Sequence, residues 1–432
     1  MRAFTPLLRG STPLVRGARG ARVISARGAS LAGGLDDFFH TEPPPGEPPA
    51  TLVGSTPGLG ADAALDLAGV KPGDHIVPPY ETTATAGMVE AWATSFHSTN
   101  RLITSKTFAQ RVGLDDRVLP FDLLCFLAGS MSHADRAVVQ VSFSHARYHL
   151  PVYVGDTLVK NYRVREVVDL PRSDATDGAP ASKATFLCEL TNQRGEVVFS
   201  ADKGMIFPAG IVGAAAREPP GALPERAPDA LRDTIVRRAE HLAGPLGGVT
   251  LRELRPGQLI VHSACRPLTL TQVMQLSSLA RIVHDRHFNL AKHAPSELFV
   301  PGGCVLGLVN SASGRELHEV LFQELHHVCY THPLHPYEPV GALSYVADRQ
   351  ESLSGELEKL EVVTLGVKNV DVAGALAGVP LPSALFTEPA PLRRKRVDAI
   401  CAEHCPALVG KIVARVERSV YRQAKREDAF LL

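Results

Sequence analysis

Apolar residues recur at spacings of three and four in two stretches of the chain that resemble one another. Met88, Val89, Trp92 and Phe96 predict one amphipathic helix, and Val273, Leu276, Leu279, Ala280 and Val283 predict a second. Matching segments precede them, Lys71-Pro72-Gly73-Asp74-His75-Ile76-Val77 and Arg255-Pro256-Gly257-Gln258-Leu259-Ile260-Val261, with 184 residues separating Gly73 from Gly257. The chain is therefore read as one unit written twice. Each copy continues with a second apolar segment, residues 119–128 and 299–309. Runs rich in β-branched and aromatic residues follow. In the first copy they are 137–143, 157–168, 184–191 and 197–207; in the second they are 317–330, 341–347, 356–367 and a weaker 378–386. Helices early and strands late predict an α+β unit in each copy.

Residues 208–245, rich in Ala, Pro and Arg, read as a linker with a short helix over 228–243. Past residue 393, Leu408, Ile412, Val413, Val416 and Val420 lie near helical spacing, so 407–423 is read as an amphipathic helix that packs on the duplicated unit or docks a partner. The division that results is a targeting segment 1–35, a linker 36–69, an N-terminal unit 70–210, a linker 211–248, a C-terminal unit 249–387 and a helical extension 388–432.

Composition narrows the classes. With 432 residues, 45% of them hydrophobic, and 45 basic residues against 45 acidic, the chain is that of a globular protein with no charge excess pointing to nucleic acid. No run of 18 or more apolar residues predicts a transmembrane helix. The seven cysteines form no dense framework, and their odd number favours free thiols in a reducing compartment. Arg2, Arg9, Arg16, Arg19, Arg22 and Arg27 precede the first acid, Asp36, which is the pattern of an organellar transit peptide. The mitochondrial matrix is the expected destination, with the chloroplast as the alternative.

Phe143, followed by Leu150-Pro151-Val152-Tyr153-Val154-Gly155-Asp156-Thr157-Leu158, resembles the F…PVYxGDTL strand-turn-strand of MaoC-like hot-dog dehydratases and (R)-specific enoyl-CoA hydratases. The second copy departs from it over 330–340, where Pro333, Pro336 and Pro339 replace the clean turn. His287-Phe288-Asn289 and Val300-Pro301-Gly302-Gly303 are similar to mesaconyl-CoA hydratase-like members. The resemblance covers roughly 70–210 and 250–385 and implies a tandem (double) hot-dog fold, each half a helix wrapped by an antiparallel sheet. It also implies a hydro-lyase that hydrates or dehydrates an enoyl or 3-hydroxyacyl thioester of CoA or acyl carrier protein. Such an enzyme needs no metal or redox cofactor, and a homodimer or larger assembly is expected.

The same family carries an Asp and a His in a D-x-N-P-x-H pattern, and a Gly whose backbone N–H heads the central helix. In the first copy Ser98, Asn100 and Ile103 fall at the Asp, Asn and His positions, and Val118-Leu119-Pro120-Phe121 stands at the glycine turn, so that copy reads as catalytically inert. In the second copy two registers remain open. One puts Asp285 at the Asp and Leu290 at the His; the other puts His287 at the Asp and Lys292 at the His, with His293 one residue later. The candidates are Asp285 as base or orienter, His287 or His293 as its partner, and Asn289, Gly302 and Gly303 around the thioester oxygen. The competing expectation is a hot-dog protein without its dyad, serving as a scaffold or subunit of an organellar complex; a thioesterase on the same fold is a third. His326, His327, Cys329, His332 and His335 fall on a predicted strand and turn, and Cys401, His404 and Cys405 lack a second ligand pair, so neither group is read as a metal site. Arg393-Arg394-Lys395-Arg396 reads as a solvated helix start.

Overall fold

The computed structural model describes residues 23–25, 71–78, 81–130, 137–170, 181–208, 230–238, 253–282, 284–318, 320–350, 357–376 and 378–424. Most of the expected targeting segment, the expected linker 36–69 and the chain's last residues lie outside these.

The first half contributes β2 (His75–Val77), β3 (Glu81–Thr83), α1 (Ala86–Phe96), α2 (Arg101–Thr104), α3 (Lys106–Arg111), α4 (Phe121–Gly129), β4 (Val139–Tyr148), β5 (Thr157–Leu170), β6 (Ala181–Thr191) and β7 (Val197–Pro208). A short β1 (Val23–Ser25) lies parallel to β2. After α5 (Ala230–Arg238), the second half contributes β8 (Leu259–Val261), α6 (Leu270–Leu279), α7 (Gly302–Leu317), β9 (Val320–Tyr330), β10 (Val340–Gln350) and β11 (Leu357–Lys368). Three helices follow, α8 (Val372–Ala375), α9 (Ala384–Thr387) and α10 (Arg394–His404), before β12 (Ile412–Gln423).

Among the described residues all twelve strands belong to one sheet in the order β1-β2-β5-β6-β7-β4-β9-β12-β11-β10-β8, with β3 also on β5. The order reads as a mirror about the antiparallel β4–β9 pair, where Ser142 faces Cys329 and Phe143 faces Val328. This is the tandem hot-dog arrangement: α4 and α7 pack together against one continuous sheet, Trp92 of α1 lies beside Phe126 of α4 and Gly307 of α7, and α6 packs on α1. Thr85 caps α1 by accepting from the Met88 N–H at 3.2 Å, and Thr269 forms a capping box with Gln272 at the start of α6. The stripe read from the sequence is the buried one: Met88, Val89, Trp92 and Phe96 of α1, and Val273 and Leu276 of α6. Two glycines set how closely the helices approach. A Cβ on Gly303 would lie 3.1 Å from the Phe126 Cα, and one on Gly307 would lie 3.1 Å from the Trp92 ring.

Three expectations are corrected. Residues 407–423 do not form a helix; β12 occupies most of that stretch and lies between β9 and β11, the place β7 holds in the first half. Its apolar spacing mimics a helix because the strand is buried along both faces, so no alternation survives. Residues 378–386 are accordingly not the fourth strand; they lead into α9. The extension 388–432 thus contributes a central strand of the second half. In the first half the corresponding connection is only 192–196, whereas 369–411 intervenes in the second and packs Val372, Leu385, Phe386, Val397 and Ile400 against Leu343, Val363 and Leu365 of the sheet. Buried Arg415 of β12 ties this insertion down by donating to the Leu385, Phe386 and Glu388 carbonyls at 2.9, 2.7 and 2.9 Å.

The third correction concerns the turn over 330–340, which keeps the first copy's shape despite its prolines. Asp156 accepts from the Tyr153 N–H at 2.8 Å with Gly155 at φ +102°; Glu338 accepts from the His335 N–H at 2.8 Å with Tyr337 at φ +69°.

Candidate active site

A cavity of about 580 Å³ opens where the two halves meet. The C-terminal end of α4, β4, β7, the segment 282–287, the start of α7 and the end of β9 all line it. Its wall is largely apolar, with Phe126, Phe143, Met205, Ile282, Val305 and Leu306 among its members. The polar groups in it are basic or neutral, among them Lys203, His284, Arg286, His287, Tyr330, Gln140 and His332. Among the described lining residues there is no Asp or Glu.

The 3₁₀ turn Asp285–His287 presents the imidazoles. His287 Nδ1 lies 2.8 Å from the Phe299 carbonyl, which can only accept, so Nδ1 carries the proton and Nε2 keeps its lone pair. Burial, followed by the nearby His284 and Lys203, lowers the His287 pKa to about 4, so the ring is neutral near pH 7. The Phe299 N–H returns a bond to the Arg286 carbonyl at 2.7 Å, pinning the turn to the segment that leads into α7. His284 reaches across the halves, with Nε2 donating to the Ala137 carbonyl at 3.0 Å.

Helix α7 opens at Gly302 with Pro301 before it and no side-chain cap, so its first amides are available to an acceptor in the cavity. Tyr330 stands beside it: a Cβ on Gly302 would lie 3.1 Å from the Tyr330 Cζ. The Tyr330 hydroxyl is buried without a hydrogen-bond partner, and burial raises its pKa well above the ordinary phenol value. Lys203 bonds the Gly129 carbonyl at the end of α4, and burial lowers its pKa to about 8.

Of the residues expected from sequence, the structure brings His287, Gly302 and Gly303 together at the cavity and leaves Asp285, Asn289 and His293 out of its lining. Asp285 pairs instead with Lys292, their side chains 36% and 60% exposed, and also accepts from Asn289 Nδ2 at 3.2 Å. The Lys292 bond holds the Asp285 carboxyl below its ordinary pKa. Asp285 and His287 therefore do not form the expected dyad.

Backbone markers settle the register. His97 and Arg281 are both left-handed, at φ +55° and +54°. Asn100 and His284 both cap the next turn, at φ −70° and −67°, and each bonds a carbonyl at or just before the start of a strand of the other half, Asn100 Nδ2 to Val320 O of β9 at 3.0 Å and His284 Nε2 to Ala137 O, two residues before β4. Each pair is 184 residues apart, as Gly73 and Gly257 are. On that offset Ser98 matches Ile282, and Ile103 matches His287. This alignment of the halves is neither register weighed from sequence: it sets His287 opposite Ile103 and Ile282 opposite Ser98. Lys203 and Tyr330 were not found from sequence because they arrive on strands whose facing depends on bulges in the sheet, the extra residue at Val198 in β7 and at His326 in β9.

The other basic and sulfur-bearing clusters serve the framework. His326 bonds Ser419 and Glu361, His332 bonds the Ile412 carbonyl and Asp398, and His335 bonds the Leu298 carbonyl. Cys401 and Cys405 belong to the core under the insertion.

No protein-family model and no curated protein matches the sequence. Solved structures match along most of the chain. A protein of Chloroflexus aurantiacus described as a MaoC domain protein dehydratase aligns with 83% of this chain and 97% of its own, at 19% identity and a TM-score of 0.63. A Mycobacterium tuberculosis protein with a double hotdog fold aligns over 82% and 97%, at 15% identity and 0.61. A further MaoC-like dehydratase aligns over 81% and 98%, at 11% identity and 0.52. At these identities the likeness shows the fold, the double hot-dog.

Proposed function

We propose that the protein is an enoyl-thioester hydro-lyase whose one working site is the cavity of the second half, with His287 as its base and the first amides of α7 as the cradle for the thioester oxygen. The observation that carries this reading is the fixed tautomer of His287 in a cavity that also contains an uncapped helix N-terminus. Nε2 takes a proton from water as the oxygen bonds to C3; the C2–C3 electron pair shifts toward the thioester, whose oxygen gains enolate charge beside the amides of Gly302 and Gly303. The imidazolium then returns a proton to C2, and dehydration is the reverse. One well-placed base contributes about 10²–10⁴-fold, and one oxyanion donor roughly 10²–10³-fold. The thioester is carried by CoA or acyl carrier protein, and the Arg-rich start of the chain delivers the protein to the mitochondrial matrix.

Ile282 at the Asp position favours a second reading, in which the cavity binds a thioester and turns nothing over, the protein acting as a subunit of a larger assembly. One experiment separates the two. Crotonyl-CoA and mesaconyl-CoA are followed at the thioester absorbance while their binding is titrated by calorimetry. Turnover with either carries the enzymatic reading; binding with no turnover carries the second. Import of the full chain into isolated mitochondria, with shortening of its N-terminus, tests the destination.

A further inference from the structure

A second proton-bearing group stands where the cavity meets α7. We infer that Tyr330 donates its hydroxyl proton in a hydrogen bond to the thioester oxygen and so completes an oxyanion site begun by the helix. The inference rests on the hydro-lyase reading of the same cavity and adds a residue to it. Three observations converge on Tyr330. It lines the cavity, its ring lies against Gly302 at the first turn of α7, and its hydroxyl is buried with no partner. An unpaired buried hydroxyl is costly, and such groups are kept where a ligand satisfies them. Because burial holds the phenol protonated across the working pH range, the group can donate but cannot serve as the base. It therefore complements His287, which is neutral and presents a lone pair. The absence of any side chain on Gly302 leaves the phenol and the first amides of α7 facing one space, where a Cβ would come within 3.1 Å of the ring. A thioester oxygen entering there meets donors from α7 and from β9 at once. Charge that develops on that oxygen strengthens both bonds, so the contribution is larger in the transition state than in the bound substrate.

The test uses the full chain and an arylacryloyl-CoA, a chromophoric enoyl thioester whose absorption moves to the red when its carbonyl oxygen receives hydrogen bonds. The wild type is expected to bind it with a red shift, and Tyr330→Phe to bind it with a clearly smaller one. Turnover of the wild type's best enoyl-CoA substrate should fall on the order of 10²-fold in kcat with KM little changed. Tm should hold or rise, because the orphaned hydroxyl has gone. A purely structural hydroxyl would leave the shift untouched. A shift present in the wild type and equal in Tyr330→Phe overturns the role of Tyr330 and leaves the hydro-lyase reading standing. No binding, or binding with no shift in the wild type, overturns that reading and the inference with it.

Discussion

The two halves of this molecule share one frame, and besides the 369–411 insertion they differ most at the start of one helix and the turn that faces it. In the first half Pro120-Phe121-Asp122 stands where the second has Pro301-Gly302-Gly303, and Ile103 stands where the second has His287. Phe121 fills the space over the start of its helix and packs edge-on against Phe199 at a centroid distance of 5.8 Å. Leu231 and Ile235 of α5, from the linker, close what remains, and the Leu231 N–H bonds the His149 carbonyl at 2.9 Å. The space left at the start of α4 is about 40 Å³, against about 580 Å³ at the start of α7. Two bare glycines in place of Phe and Asp, and an imidazole in place of a sec-butyl group, account for the contrast. One copy keeps the frame and supplies core; the other keeps the frame and a chamber.

Several changes would break or sharpen that contrast. Leu231→Ala removes part of the first half's plug, and truncating a buried leucine should cost about 2–5 kcal/mol, read as a fall in Tm. It should not create turnover in the first half, since Ile103 cannot move a proton. Gly303→Ala forces a methyl against the Phe126 backbone and should cost about 1–3 kcal/mol while lowering turnover, because α4 and α7 must separate.

The pH profile carries a further difference. Since the His287 pKa is lowered to about 4, kcat/KM should stay level from about pH 8 to about 5 and fall as acid protonates the ring near pH 4. An imidazole paired with a carboxylate would lose activity near or above its ordinary value of about 6.5 instead. The linkage has the matching sign. The unfolded ring binds its proton first, so the His287 contribution to stability is full above about 6.5 and is lost as pH falls toward 4. Smallest of all, Asp285→Asn should change turnover by less than about threefold, because an exposed pair with Lys292 contributes only about 0–1 kcal/mol.

Much of the frame was legible in the sequence. The matching Lys71 and Arg255 segments, the two buried stripes and the first half's strands are written in local periodicity, which survives wherever one face is wet. The second half's last strand was not, because α7 covers one face of β12 and the insertion covers the other; Arg415, Arg418 and Arg422 are buried there beside Val416 and Val420. A strand with no wet face shows no period of two. Of the cavity lining, His287, Gly302 and Gly303 were legible as residues near one another in sequence. Their register was not, because it is fixed by two left-handed residues and two caps whose side chains differ between the copies. Ile282 as the counterpart of Ser98 follows only from those markers, and Asp285 lies outside the cavity lining, paired with Lys292.

The most direct measurement is the steady-state hydration rate of the best enoyl-CoA substrate with wild type and with His287→Ile, which writes the first half's residue into the second. The account predicts unchanged folding by circular dichroism and a loss of about 10²–10⁴-fold in kcat/KM. A His287→Ile protein that turns over at the wild-type rate would contradict it, for the chemistry would then lie elsewhere than in this chamber.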